Sequence, residues 1–289
     1  MTQKSVLLTG YTGFLGGHTV SAFKRAGWRV LLAGRSQAET RTDDAYFHID
    51  LERPETILGL RELVRPDAIV HLACRVGWGG ETLDQLYTEN VLATACMAEL
   101  ARFWNVPLVF ASAALVHGKS LENISSDSPG NPDTDYAKSK LLAEDTIRAS
   151  GVSHCFLRMG GLFGGAGPSH LGLNRAIVDT QKGIAPTKVG RGEARRNYLY
   201  VKDAALQCVF ALENRVEGSH LLAGSEVLSV GDMLEKICEV LGHDLHPRVK
   251  KGAEANDQII TSSIAFPKTR TFHDALIDIR ESEGACASD

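Results

Sequence analysis

The stretch "LLTGYTGFLGGH", Leu7 to His18, decides how the chain is read. It leaves a short apolar run, "SVLLTG", and enters a helical pattern, "FLGGHTVSAFKRAG", that stops at Gly27. Gly10, Gly13 and Gly16 stand three apart across that change. At a strand-to-helix turn the first such glycine makes the tight turn and the second lets the backbone approach a pyrophosphate. The third lets the helix pack closely on the strand. Amides that open the helix then face an anion. The stretch reads as a dinucleotide-binding turn, with Gly10, Thr12, Gly13, Phe14, Leu15 and Gly16 along the cofactor.

The alternation continues outward from this turn. "RVLLAG", "AYFHI", "AIVHLA", "PLVFAS" and "HCFLRM" read as further buried strands. Between them lie the helical patterns "ERPETILGLRELVRP", "TLDQLYTENVLATACMAELARFWNV" and one from about Asp133 to Ser150. Such alternation implies a parallel sheet covered on both faces. The expected fold is α/β, a Rossmann-type doubly wound parallel sheet with a smaller C-terminal substrate lobe. Residues 1–160 are expected to form the dinucleotide-binding domain, and 161–289 mainly the substrate-binding lobe, partly interleaved with the main sheet. "NYLYV", a helix from Lys202 to about Asn214, "SHLLAG" and a helix from Val230 to Leu241 belong to that later region, and the tail "ESEGACASD" is expected to be disordered.

Composition narrows the function classes. The chain has 289 residues, 44% hydrophobic and 23% charged, with a formal net charge of −4. Those are the proportions of an ordinary soluble globular protein, with no footprint for nucleic acid or an anionic membrane. The six cysteines form no CxxC pair, which fits free thiols in a reducing compartment. With no secretory hydrophobic segment and no bilayer-length apolar run, a cytoplasmic location is expected. No metal is expected: His71 has no companion ligands and reads as structural.

Two positions carry chemistry of their own. An NAD binder usually has a carboxylate at the end of the second strand for the ribose diol, and here Arg35 stands there. Arginine suits a 2′-phosphate, so the reading favours NADP, with NAD as the alternative. Asp50, followed by Leu51, is placed to accept from the adenine amino group. In "DYAKSK", Tyr136 and Lys140 lie four apart on one helical face, as either a solvated surface pair or a phenol with an ammonium beside it.

With "TGYTGFLG", "HLA" after the fourth strand, "YAKSK" and the late "RRNYLYVKDAA", the chain resembles the extended short-chain dehydrogenase/reductase family, of epimerase/dehydratase type, over nearly its whole length. The resemblance implies hydride transfer at a hydroxyl or keto carbon, with a nucleotide sugar as substrate. It makes Tyr136 the acid/base and Lys140 its electrostatic partner, both touching the cofactor, with Leu72 and Ala73 beside it. A phenol with a pKa of about 10 is a poor base, and a nearby ammonium with a positive nicotinamide favours its ionised form. A homodimer through the helices around 85–104 and 133–150 is also implied.

The sequence departs from that family at the hydroxyl expected before a Tyr-Gly pair. Counted back from His117-Gly118, the position is Ala113, which leaves neighbouring Ser112 as the candidate third catalytic residue. Gly161 stands where sugar-nucleotide members often have asparagine, while Arg196 matches a diphosphate-binding arginine. Trp78, in "RVGWGGE", is the other candidate substrate contact. Asn90 reads either as a cofactor neighbour or as a solvated helix residue. Competing readings are a reductase of a non-sugar carbonyl compound and, in another class, a non-catalytic NAD(P)-binding sensor or scaffold.

Overall fold

The computed structural model describes residues 3–35, 45–77, 80–242, 245–253 and 255–286. Seven strands make the main sheet: β1 (Ser5–Thr9), β2 (Arg29–Gly34), β3 (Ala45–His48), β4 (Ala68–His71), β5 (Leu108–Ala113), β6 (His154–Met159) and β7 (Gly218–Leu222). Their order is β7-β6-β5-β4-β1-β2-β3 in a parallel, Rossmann-like sheet. β1 pairs in parallel with both β2 and β4, Leu7 lying beside Leu31 on one side and Ile69 on the other. Chain direction across the sheet reverses between β1 and β4, which opens a crevice at the carboxyl ends of the strands.

The central strands are apolar on both faces because both faces are covered. Leu7, Ile69, Phe110 and Phe156 share a buried cluster with Met97, Leu100, Trp104 and Ile147. The helices in chain order are α1 (Phe14–Arg25), α2 (Glu55–Leu58), α3 (Leu83–Leu86), α4 (Ala93–Trp104), α5 (Asp135–Ser150), α6 (Gly172–Gln181), α7 (Val201–Glu213), α8 (Val230–Leu241) and α9 (Phe272–Cys286). A π-helical stretch, Tyr87–Leu92, joins α3 to α4. Local chemistry fixes several ends: Thr82 and Gln85 form a capping box at α3, and Thr134 caps α5 by accepting from the Ala137 amide. Gly151 closes α5 in the left-handed region.

The chain divides into two compact units, one of Met1–Gly118, Ser128–Arg158 and Ala204–His220, the other of Lys119–Asp127, Met159–Asp203 and Leu221–Asp289. The second is built from α6, α8 and α9 with short two-stranded pairings such as Arg195–Arg196 against Leu228–Ser229. No helix among the described residues is long and apolar enough to cross a membrane.

Two elements differ from the sequence reading, and the place of a third was left open by it. The helix expected over "ERPETILGLRELVRP" is a single turn that passes into a 3-10 turn at Gly59–Glu62, in keeping with glycine's cost inside a helix. "SHLLAG" supplies β7, an edge strand of the main sheet beside β6. The tail is ordered further than expected, since α9 continues through Arg280 to Cys286. Its inner face carries Phe272, Ala275, Leu276 and Ile279, all buried, and that apolar stripe anchors the helix.

Candidate active site

The glycine turn is built by close backbone approach. Gly10 has φ +72°, and a Cβ there would lie 2.6 Å from the Ala73 nitrogen. Gly16 is tighter still: a Cβ would fall 2.0 Å from the Gly10 carbonyl oxygen. The Gly13 amide donates to that same carbonyl at 3.0 Å, and Gly13 is the N-cap of α1. The first turn of α1 has neither an acidic residue nor a side-chain cap. First-turn amides lack partners within their own helix, so this turn has the chemistry of an anion cradle. Thr12 is exposed at the turn, with Phe14 and Leu15 half-buried behind it. The cradle fits a dinucleotide pyrophosphate.

Beside it, Leu72 and Ala73 leave β4 on a pinned backbone. Thr9 Oγ1 accepts from the Ala73 amide at 3.2 Å and shares a 2.7 Å hydrogen bond with His71 Nδ1. Thr94 Oγ1 donates to the Asn90 carbonyl at 2.7 Å and lies 3.1 Å from His71 Nε2. This pattern assigns the tautomer: Nε2–H donates to Thr94, and Nδ1 accepts the Thr9 hydroxyl hydrogen. Burial, with help from Lys140, pushes His71 down to about 3, so the ring stays neutral. It is a staple between β1, β4 and the following helix.

Tyr136 and Lys140 lie in the first two turns of α5. Lys140 is 2% exposed; its Nζ donates to the Ala111 carbonyl at 2.7 Å and lies over the Phe110 ring, 4.5 Å from the centroid. The ammonium is 6.0 Å from the Tyr136 ring. Burial first, then the Cys74 thiol that hydrogen-bonds it, raise the Tyr136 phenol well above its ordinary value. Both causes act in one direction, so the phenol is held neutral, ready to donate a proton.

Ser112 is hydrogen-bonded to a carboxylate further along α5. Its hydroxyl donates to Glu144 Oε1 at 2.6 Å, in a buried network eight residues along α5 from Tyr136. Arg158 grips the same carboxylate with Nε at 3.0 Å and Nη2 at 2.6 Å, and Arg148 adds Nη2 at 2.8 Å. Burial alone would raise Glu144, but hydrogen bonds from Arg158 and Ser112 outweigh it and hold the carboxyl below its usual value. His117 completes the network: Nδ1–H donates to the Pro129 carbonyl at 3.0 Å, leaving Nε2 to accept from Arg158 at 3.2 Å.

Asn90 resolves as a buried clamp. Its Oδ1 accepts from the Arg75 amide at 2.7 Å, while Nδ2 donates to the Arg75 carbonyl and to Ser139 Oγ, both at 2.9 Å. The loop carrying Cys74 is thereby tied to the helical turn carrying Tyr136. The π-helical stretch that presents Asn90 is an element frequent at functional sites.

In the turn after β3, Asp50 Oδ1 accepts from the Glu52 amide at 3.1 Å, and Leu51 packs on the core cluster. Arg35 is exposed and paired with Glu52 at 3.3 Å. Trp78 lies outside the described residues. Arg196 belongs to the second unit, half-exposed, its Nη1 donating to the Arg195 carbonyl at 2.8 Å. In that unit Gly161 has a physical reason: a Cβ there would lie 2.5 Å from the Tyr198 ring.

Sequence reasoning missed Cys74, Glu52, Glu144 and Tyr198. Glu144 had a signal, since Tyr136, Lys140 and Glu144 are spaced four apart on one helical face. Cys74 directly follows "HLA". Glu52 and Tyr198 had none, because only folding brings them to Arg35 and Gly161.

Comparison with known proteins is consistent with this geometry. The model of the NAD dependent epimerase/dehydratase family matches residues 6–231. UDP-glucose 4-epimerase 4 of Oryza sativa subsp. japonica is 30% identical over 165 residues, 51% of this chain and 45% of that protein, so the match spans less than half of the rice protein. UDP-glucose 4-epimerase of Halalkalibacterium halodurans is 23% identical over 83% of this chain and 81% of its own length. Among solved structures, UDP-N-acetylglucosamine 4-epimerase from Bacillus cereus superposes with a TM-score of 0.83 at 25% identity, covering 97% of this chain and 96% of that one.

Proposed function

The chain belongs to the NAD dependent epimerase/dehydratase family, and from that premise we propose that it catalyses hydride transfer at a hydroxyl- or keto-bearing carbon of a nucleotide sugar. A nicotinamide cofactor, when bound, supplies the hydride acceptor and donor. The first-turn amides of α1 and the glycine turn would hold its pyrophosphate, Asp50 and Leu51 its adenine, and Leu72 and Ala73 its nicotinamide half. Arg35, paired with Glu52, would stand where the 2′ position of the adenosine ribose is read.

Tyr136 gives a proton to the substrate oxygen in reduction and takes one in oxidation. Lys140 is its electrostatic partner and a ligand for the nicotinamide ribose. Ser112 is left out of the reaction, because its hydrogen is committed to Glu144. Arg196 would bind the substrate diphosphate, a task suited to a guanidinium. Apolar Leu92 and Leu142, 40% and 48% exposed near the α4 and α5 helices, support pairing with a second copy of the chain. Light scattering should report a dimer, and a monomer at micromolar protein would refute the pairing.

The observation that carries this reading is the anchoring of Lys140 on Ala111 one helical turn from Tyr136, at the carboxyl end of β5. It is tested by incubating the protein with nucleotide sugars, following products by NMR and nicotinamide absorbance together. Tyr136→Phe should lower turnover about a thousandfold, the scale of a lost general acid/base. Cofactor binding without conversion of any nucleotide sugar would rule the reading out. Packing of Tyr198 on Gly161 favours one second reading, a non-sugar carbonyl substrate, and simple ketones in the same assay decide between the two.

A further inference from the structure

We propose that Glu52, held between Arg35 and Arg75, makes the adenosine end of the cofactor site select NAD over NADP. The inference rests on the reading of the glycine turn as a nicotinamide-dinucleotide site.

Arg35 follows directly on β2, where a dinucleotide fold reads the 2′ substituent of the adenosine ribose. Read alone, the arginine invites a 2′-phosphate. It does not stand alone: Glu52 Oε1 lies 3.3 Å from Arg35 Nη1 and 3.1 Å from Arg75 Nη2, one oxygen between two guanidiniums. Arg75 is also paired through Nε with Glu89, which is buried. Among the described residues, Glu52 and Glu89 pair with these two guanidiniums and Glu81 adds to the negative field at Arg75. Glu52 is aimed by its own loop, whose backbone is turned by Asp50: the Glu52 amide donates to Asp50 Oδ1 at 3.1 Å and the Arg53 amide to the Asp50 carbonyl at 3.0 Å.

The two nucleotides meet this arrangement differently. A 2′-phosphate brings close to two negative charges and must either pull Arg35 from Glu52 or settle against the carboxylate. A 2′-hydroxyl can donate to that carboxylate, which comes here from the loop after β3 instead of from the end of β2. The Arg35 and Glu52 side chains are 63% and 52% exposed, so both reach the solvent from which a ligand arrives. An exposed pair of this kind adds little to fold stability. Its weight lies in the sign of the local field.

The test is nucleotide binding, read by fluorescence of NADH and NADPH titrated with the purified protein, with no substrate present. Wild type should bind NADH more tightly than NADPH, and the preference should shrink in high salt, where exposed charges are screened. Glu52→Gln should shift the ratio of dissociation constants toward NADPH by about tenfold, the effect of removing one charge at this separation. Adding Arg35→Gln to Glu52→Gln should abolish that gain. Equal binding of the two nucleotides by wild type, or a ratio moved less than twofold by Glu52→Gln, overturns the inference and leaves the cofactor reading standing. Binding of neither nucleotide overturns both.

Discussion

A buried phenol and a buried ammonium make opposite demands on their surroundings. Desolvation favours the neutral phenol, and the structure meets that preference at Tyr136 with burial and the Cys74 thiol. Lys140 meets a carbonyl and an aromatic face, partners that suit a cation. In the reducing direction the rate should hold through neutral pH and fall only where pH passes the raised phenol value. Cys74 contributes to that rise, so Cys74→Ala should move the fall to lower pH, measured as kcat/KM against pH. An unmoved profile would mean that the thiol does not act on the phenol. Tyr136, Lys140 and the three glycines could be picked out by spacing within short stretches, with the family resemblance giving the pair its role, while their partners Ala73, Cys74 and Ala111 came only with the fold. Ser112 could not, since its direction is set by a carboxylate thirty-two residues later in the chain.

α5 does two jobs along one length. Its first turns present Tyr136 and Lys140, and its middle presents Glu144 to Arg148, Arg158 and Ser112. Removing the charge strands a guanidinium, since Arg158 is only 14% exposed. Glu144→Gln should therefore destabilise the fold by about 3 kcal/mol, read by urea denaturation. The pH dependence has a definite sign. A carboxyl held below its unfolded value stabilises the fold above that value, and the contribution is lost as pH falls through the depressed folded one. The variant should show a weaker acid-induced loss of stability than wild type, and parallel acid curves would refute the assignment. The helix itself was clear from the sequence as a pattern from about Asp133 to Ser150. Its network was not, because Arg158 arrives from β6 and His117 from the loop after β5. The 55–62 segment shows the converse: its apolar spacing promised a helix, and Gly59 stopped it after one turn.

At the scale of the whole molecule, the parallel sheet followed from alternating apolar runs, while β7 was left open between the sheet and the later lobe. "SHLLAG" looks the same as a short strand of either unit, and only pairing with β6 assigns it to the sheet edge. Glycines record where the backbone has no room. Gly161→Asn should lower stability by about 1–3 kcal/mol, as overpacking does, and Tyr198→Ala in the same chain should recover most of that loss in thermal melts. A Gly161→Asn protein as stable as wild type would show that the ring yields freely. The two positions thus constrain the routes open to mutation. A lineage that gains an amide at 161 must first shrink residue 198, and in the other order it passes through a poorly folding intermediate. Any exchange between glycine and asparagine at this point is gated by history, one substitution granting permission for the next.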